Sequence, residues 1–250
     1  MKKVFVIVVL ICQIFLCSCG YGDSNSNQSV LKGKNVIVYG DSIVWGQSGY
    51  EPSVSHNPWP SVLAEKTGAN VLNMGIPGAT MAFVGDDETS DLNRDAFAYL
   101  VDSADLEKYD YIFIAYGTND LSYGVPIGEN NDMDTHTFKG AINYSIKRIE
   151  EKNPDIHIVL VTPMLDSRLN VSYCDAVIEI AKENDIMAVD MRNIKIEEQD
   201  LYDVYWDHAT QMHPTESTYY AMGNYMAHFP EFEDVKCFKI SYDTGGGIWT

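Results

Sequence analysis

The chain has 250 residues, of which 46% are apolar and 12% aromatic. This composition excludes a disordered or fibrous protein and is sufficient for one domain with a substantial core. The net charge of −19 argues against nucleic acids and anionic lipid surfaces as partners, and a neutral substrate is easier to accommodate than a polyanion.

The first residues predict an export signal rather than part of the fold. Two lysines precede an apolar run over residues 4–16. A membrane-spanning helix needs about 20 apolar residues, so this run is too short for a permanent anchor and is typical of a signal peptide. Leu16-Cys17-Ser18-Cys19 then resembles a bacterial lipobox. This predicts a lipoprotein signal peptide over residues 1–18 and lipid on Cys19, with ordinary secretion and nearby cleavage as the alternative.

Residues 19–29 are polar and rich in Gly, Ser and Asn, which is typical of a flexible tether. We therefore predict a single domain over residues 30–250, exported and lipid-anchored at the bacterial cell envelope, and a monomer. Removal of residues 1–18 would leave 15 basic and 36 acidic residues, a net charge of −21. Membrane attachment would then depend on the lipid alone.

The two cysteines of the domain, Cys174 and Cys237, are compatible with one disulfide or with two buried thiols.

Five apolar, mostly β-branched runs alternate with helical patterns along the domain. The runs predict strands over residues 35–39, 70–74, 111–116, 156–162 and 186–190. The alternating patterns predict helices over residues 59–67, 91–103, 138–152, 171–183 and 215–229. Such a β-α alternation predicts an α/β fold with a five-stranded parallel sheet and helices on both of its faces.

Ligands of open parallel sheets bind beyond the carboxyl ends of the strands. The first predicted strand ends in Gly40-Asp41-Ser42, the second in Asn73-Met74-Gly75-Ile76-Pro77-Gly78 and the third in Gly117-Thr118-Asn119-Asp120. His213-Pro214 precedes the last predicted helix, with Thr215 as its expected N-cap. This edge of the sheet therefore collects a hydroxyl, two glycine-rich turns, an amide and an imidazole, which is the inventory of acyl transfer.

These four segments, in this order and spacing, resemble the signature blocks of the GDSL/SGNH hydrolases over residues 30–229. The resemblance implies a flavodoxin-like, three-layer α/β/α sandwich. It also implies Ser42 as nucleophile, His213 as general base, and an oxyanion hole formed by Ser42, Gly78 and Asn119. Gly75 is the rival donor within its turn. Without the other blocks, Asp41 and Ser42 would be read as a helix cap, and Asp120 is expected to brace its loop.

The chain departs from the family pattern next to His213. The family places an aspartate three residues before the histidine, where this chain has Thr210. Asp207 is the nearest upstream acid and the tentative orienting residue, with Asp203 and Asp200 as weaker candidates. The alternative is a Ser-His dyad whose imidazole is oriented by a backbone carbonyl.

No cofactor or metal site is expected. Asp207, His208 and His213 could be drawn as a metal cluster, but they share one loop with no second supporting element.

The predicted reaction is hydrolysis of carboxylic esters through an acyl-serine intermediate, with acetyl or other short acyl esters of glycans as the expected substrates. Alternatives are a lysophospholipase or thioesterase, an envelope acyltransferase, and an inactive glycan-binding module. Trp45, Trp59 and Trp206 are candidates either for substrate contact or for the core.

Overall fold

The computed structural model describes residues 29–48, 53–54, 57–163, 171–194 and 213–229. The predicted leader, Cys19 and Cys237 lie outside these residues. So does the segment before His213, which contains Asp207 and Thr210.

The strands are β1 (Asn35–Gly40), β2 (Gln47–Ser48), β3 (Ser53–Val54), β4 (Asn70–Gly75), β5 (Tyr111–Ala115), β6 (His157–Val161) and β7 (Met187–Val189). Five of them form a parallel sheet at the centre of the domain, in the order β4-β1-β5-β6-β7. This confirms the predicted fold class, and each predicted strand agrees with the observed one to within one residue at either end. A short antiparallel hairpin, β2-β3, lies outside this sheet.

Eight helices are present in the described part of the chain, together with a 3-10 turn over Met191–Asn193. Four of the five predicted helices occur within about two residues of the expected positions. The helices are α1 (Ser42–Trp45), α2 (Trp59–Thr67), α3 (Asp91–Arg94), α4 (Phe97–Ser103), α5 (Thr118–Ser122), α6 (Phe138–Lys152), α7 (Val171–Glu183) and α8 (Glu216–Ala227).

The single helix predicted over residues 91–103 is wrong. The chain leaves the helical conformation at Ala96, with φ −65° and ψ 139°, and divides into α3 and α4. At this break the N–H of Phe97 donates to the carbonyl of Thr80, and that of Ala98 donates to the carbonyl of Met81. Hydrogen bonds to a distant loop thus replace those of a continuous helix, which periodicity alone cannot reveal.

Alternate side chains of the strands enter two separate cores. Ile37 and Tyr39 of β1 face the core formed with α4, α6 and α7, whereas Val36 and Val38 face the core formed with α1, α2 and α8. The central strands are therefore covered on both faces, as their continuous apolar sequences indicate. The arrangement is the expected three-layer α/β/α sandwich.

Helix α8 packs tightly against α2, and this contact sets the position of the segment that precedes α8. A Cβ atom at Gly223 would lie only 2.5 Å from Cβ of Val62, so the two helices approach closely at that glycine. Near the start of α8, the buried Tyr219 hydroxyl donates to the carbonyl of Gln47, 2.8 Å away. These contacts place the beginning of α8 beside the segment that follows α1.

The structure shows how far several residues are buried whose role the sequence left undecided. Trp59 is fully buried and belongs to the core, whereas Trp45 is half-buried; Trp206 lies outside the described residues. Cys174 is a buried free thiol whose Sγ lies 3.4 Å from the carbonyl of Pro163. Among the described helices, none combines the length and the apolarity that crossing a membrane requires.

Candidate active site

Ser42 lies at the junction between β1 and the one-turn helix α1. The buried Asp41 carboxylate caps this turn by accepting the N–H of Ile43 at 2.8 Å. Gly40 is required for close packing, because a Cβ there would lie 2.1 Å from Cγ2 of Val44 and 2.6 Å from the carbonyl oxygen of Ala115. Since α1 has only four residues, the electrostatic contribution of its helix dipole at Ser42 is small.

His213 lies next to Ser42 although 171 residues separate them in the sequence. Its Nε2 is 3.0 Å from the Ser42 Oγ, and both side chains are almost completely buried. The Thr215 hydroxyl accepts the N–H of Thr218 as the N-cap of α8, which is the expected cap. Docking of α8 on α2 therefore brings an imidazole nitrogen within hydrogen-bond distance of a serine hydroxyl.

The two candidate glycines after β4 have different surroundings. Gly75 lies so close to α1 that an added Cβ would be 2.2 Å from the Trp45 nitrogen, and its N–H already donates to Oδ1 of Asn73 at 2.9 Å. Gly78 has φ +83° and is the third residue of a turn that the Ala79 N–H closes on the Ile76 carbonyl at 3.1 Å. Among the described residues, the N–H of Gly78 has no acceptor. Close packing against α1 explains why position 75 is a glycine, and the positive φ explains why position 78 is one.

Asn119 lies in α5, directly after the end of β5. One amide N–H of its side chain donates to the carbonyl of Ala79 at 2.8 Å. The amide is thereby fixed beside the turn that contains Gly78, and its second N–H can donate elsewhere. The structure thus brings Ser42, Gly78, Asn119 and His213 to the carboxyl edge of the sheet.

Two buried carboxylates lie beneath these residues. Burial raises the pKa of Asp41 to about 6, against the opposing effect of the Ile43 N–H and the Thr118 side chain. Burial also raises the pKa of Asp120 to about 7; hydrogen bonds from the N–H groups of Met81 and Ala82 oppose the shift, and the negative charge of Asp41 adds to it. Neither carboxylate contacts Ser42 or His213 through a hydrogen bond that the structure records.

Sequence reasoning missed the part played by Asn73. Its Nδ2 donates to the carbonyl of Val44 at 2.8 Å, while its Oδ1 accepts the Gly75 N–H. Asn73 therefore joins the end of β4 to the helix that begins with Ser42. The Asn-x-Gly spacing was the available signal, because asparagine commonly accepts a backbone N–H two residues ahead.

The residues that the sequence offers for orienting His213 lie in the undescribed segment before it. Asp207, the tentative acid, and Thr210, which occupies the family's usual acid position, lie outside the described residues, as do Asp203 and Asp200. His208 of the rejected metal cluster lies there too. Within the described ranges, no group of three or more His, Cys, Asp or Glu side chains could hold a metal ion.

The structure is an α/β domain in which the Ser42 hydroxyl and the His213 imidazole meet at the carboxyl edge of the sheet. The sequence model of the GDSL-like lipase/acylhydrolase family matches residues 38–221, most of the chain. The chain belongs to this family and is an ester hydrolase.

Solved structures share the fold at low sequence identity. One is 25% identical with a TM-score of 0.68, and the match covers 80% of this chain and 96% of the other. A carbohydrate acetylesterase family member from Sinorhizobium meliloti is 20% identical with a TM-score of 0.56, covering 80% and 98%. The native aryl esterase of M. smegmatis is 18% identical with a TM-score of 0.59, covering 80% and 99%. No curated protein matches the chain.

Proposed function

We propose that the chain cleaves carboxylic esters through an acyl-Ser42 intermediate. The observation that carries the proposal is the 3.0 Å separation between Ser42 Oγ and His213 Nε2. In this mechanism the hydroxyl proton passes to Nε2 as Oγ attacks the ester carbonyl, and the same proton then leaves with the alcohol. A water molecule repeats the sequence on the acyl group, which releases the acid and restores Ser42.

The oxyanion formed by the attack needs donors close to Oγ. Ser42 and Gly78 supply backbone N–H groups that have no acceptor among the described residues, and Asn119 supplies the second N–H of its amide. Gly78 is favoured over Gly75 because the Gly75 N–H is already occupied by Asn73. The three donors would stabilise charge that develops only in the transition state.

Replacing Asn119 with alanine should lower kcat by about 10²–10³-fold, the usual effect of losing one oxyanion donor. KM should change little, because the ground-state carbonyl depends less on this bond. Steady-state hydrolysis of p-nitrophenyl acetate measures both constants.

Asn153→Ala provides the matched control for this experiment. Asn153 also donates its amide to backbone carbonyls, those of Leu106 and Tyr109, but at the amino-terminal edge of the sheet. Both variants lose an amide-to-carbonyl tie, so a fall in kcat restricted to Asn119→Ala supports the oxyanion role. Wild-type kcat in Asn119→Ala would refute it.

The proposed substrates are glycans that carry acetyl or other short acyl groups. The net charge of −19 disfavours polyanionic substrates, and a structural neighbour is named as a carbohydrate acetylesterase family member. The test compares p-nitrophenyl acetate, butyrate and palmitate with an acetylated xylan. Highest kcat/KM for acetyl esters and release of acetate from the polysaccharide are expected; preference for palmitate would instead indicate a lipid esterase.

The place of action is also a proposal. Cleavage before Cys19 and lipid on its thiol would hold the enzyme at the bacterial cell envelope as a monomer, where acylated polysaccharide is accessible. The support is the sequence of residues 1–29 alone: a short apolar run, a lipobox-like motif and a polar tether.

A further inference from the structure

Asp120 has no part in the proton transfers described above, yet it is completely buried beside the site. Its carboxylate accepts the N–H of Met81 through both oxygens, at 3.1 and 3.0 Å, and the N–H of Ala82 through Oδ1 at 3.0 Å. These donors belong to a loop 38 and 39 residues away in the sequence. Burial of a carboxylate costs free energy, which hydrogen bonds offset only in part. The presence of this carboxylate at a buried position therefore requires an explanation.

The loop held by Asp120 is the one that carries Gly78. Asn119 and Asp120 are consecutive and grip neighbouring parts of it: the Asn119 amide donates to the Ala79 carbonyl, while Asp120 accepts from Met81 and Ala82. The segment after β5 therefore binds the loop at two places, at the Ala79 carbonyl and at the N–H groups of Met81 and Ala82.

The loop needs such support because Gly78 itself is poorly anchored. Its N–H has no acceptor in the described structure, and no described residue beyond its two chain neighbours comes within 4 Å of the position that a Cβ would occupy. An oxyanion donor must be held in place before the reaction, since a displacement of about 1 Å weakens it substantially. The anchor at Met81 and Ala82 is only three to four residues further along the chain.

We propose that Asp120, in its ionised form, is a positioning residue that holds the Gly78 N–H in place for the oxyanion by binding the N–H groups of Met81 and Ala82. The proposal rests on the proposed function and deepens it. Asp120 acts through the loop and touches no reacting atom.

The surroundings of Asp120 make its ionisation sensitive to pH. The groups that face it are the Asp41 carboxyl from the β1-α1 junction, the Tyr116 hydroxyl at the end of β5 and the Tyr173 hydroxyl of α7. None of the three is a cation, and burial raises the pKa of Asp120 to about 7. Protonation removes the charge that strengthens the three hydrogen bonds and leaves one oxygen a weaker acceptor. The hydrogen bonds that hold the loop therefore weaken as the pH falls through about 7.

Stability and activity should respond to this group in opposite directions. The folded-state pKa of Asp120 lies above that of an exposed aspartate, so the folded protein retains this proton to higher pH than the unfolded chain does. The contribution of Asp120 to the free energy of unfolding consequently declines between about pH 4 and pH 7. Catalysis, which needs the carboxylate, rises as the group ionises.

The test compares wild type with Asp120→Asn, which preserves the shape and removes the charge. We expect kcat for p-nitrophenyl acetate to fall by about 10- to 100-fold, because a misplaced donor costs up to the full value of that donor. KM should stay within about threefold. On the acid side, log kcat of the wild type should rise with a slope above one, since His213 and Asp120 must both be deprotonated, and the slope should fall to about one in the variant.

Asp110→Asn is the matched control. Asp110 also accepts a backbone N–H, that of Asn35 at 2.8 Å, and an ammonium group, that of Lys34 at 2.9 Å, but at the opposite edge of the sheet. It should leave kcat and the slope unchanged. The proposal fails if Asp120→Asn keeps wild-type kcat and slope, if Asp110→Asn loses as much, or if only KM changes.

The outcomes separate this inference from the proposed function. A wild-type enzyme that is active, combined with inactive Ser42→Ala and wild-type behaviour of Asp120→Asn, overturns only the role of Asp120. Absence of Ser42-dependent hydrolysis overturns both. If Asp120→Asn does not fold, the wild-type profile decides, because an acid-side slope of about one leaves no second required carboxylate.

Discussion

Replacement of Ser42 with alanine is expected to lower kcat by about 10⁵–10⁶-fold, since it removes the atom that would form the proposed covalent intermediate. Alanine fits the site, because the backbone at position 42 is helical and Asp41 still caps the turn. The fold and KM should therefore change little. Hydrolysis of p-nitrophenyl acetate, with thermal unfolding as the measure of stability, checks both parts of the prediction.

Ser145→Ala is the control for Ser42→Ala. Ser145 is a completely buried serine of α6 whose Oγ has no hydrogen-bond partner in the described structure. Its loss should leave kcat unchanged and should not destabilise the fold. More than about 1% residual activity in Ser42→Ala would show that another group carries the acyl transfer.

Replacement of His213 with alanine should have the second largest effect, a loss of about 10⁴–10⁶-fold in kcat. A serine hydroxyl is a weak nucleophile at neutral pH, and within the described part of the chain Nε2 of His213 is the one base within hydrogen-bond distance of Oγ. The loss should appear in kcat with little change in KM, measured in the same assay.

His228→Ala serves as the comparison for His213→Ala. His228 is at the far end of α8, with Nδ1 2.8 Å from the carbonyl of Asn224. His213 and His228 flank the same helix at opposite ends, so His228 lies away from the site and wild-type kcat is expected. Comparable losses in the two variants would mean that the effect reflects the docking of α8 rather than a general base.

Asp207→Ala added to this series decides how the imidazole is oriented. A loss near 10⁴-fold would match a triad acid. A change of less than about tenfold would favour the dyad, in which a backbone carbonyl holds the ring. Asp207 stays a prediction from the sequence, because it lies outside the described residues.

The sequence was sufficient for the architecture and for the residues at the strand ends. Continuous β-branched runs identified all five strands of the sheet, and Thr215 was correctly placed as the cap of α8. These features are local, so residue type and spacing determine them. The break at Ala96 was not predictable in this way, because it depends on carbonyls of Thr80 and Met81.

The sequence predicted which residues lie at the carboxyl edge of the sheet, but not the hydrogen bonds that connect them. Gly75 and Gly78 were rivals in the sequence, and only the observed bond from Gly75 to Asn73 separates them. Asp120 was expected to brace its loop, yet its three acceptor contacts with Met81 and Ala82 required the tertiary structure. Long-range hydrogen bonds of this kind leave no periodic trace in a sequence.

The separation of 171 residues between Ser42 and His213 also has a consequence for folding. Loop closure over so long a segment is entropically expensive, and α8 can dock only on a sheet that has already acquired α2. Strand pairing can therefore be complete while Ser42 still lacks its contact with His213. Under the proposed mechanism, a form in which α8 has not docked or is missing is inactive even when its sheet is intact, so hydrolytic activity reports the docking of α8.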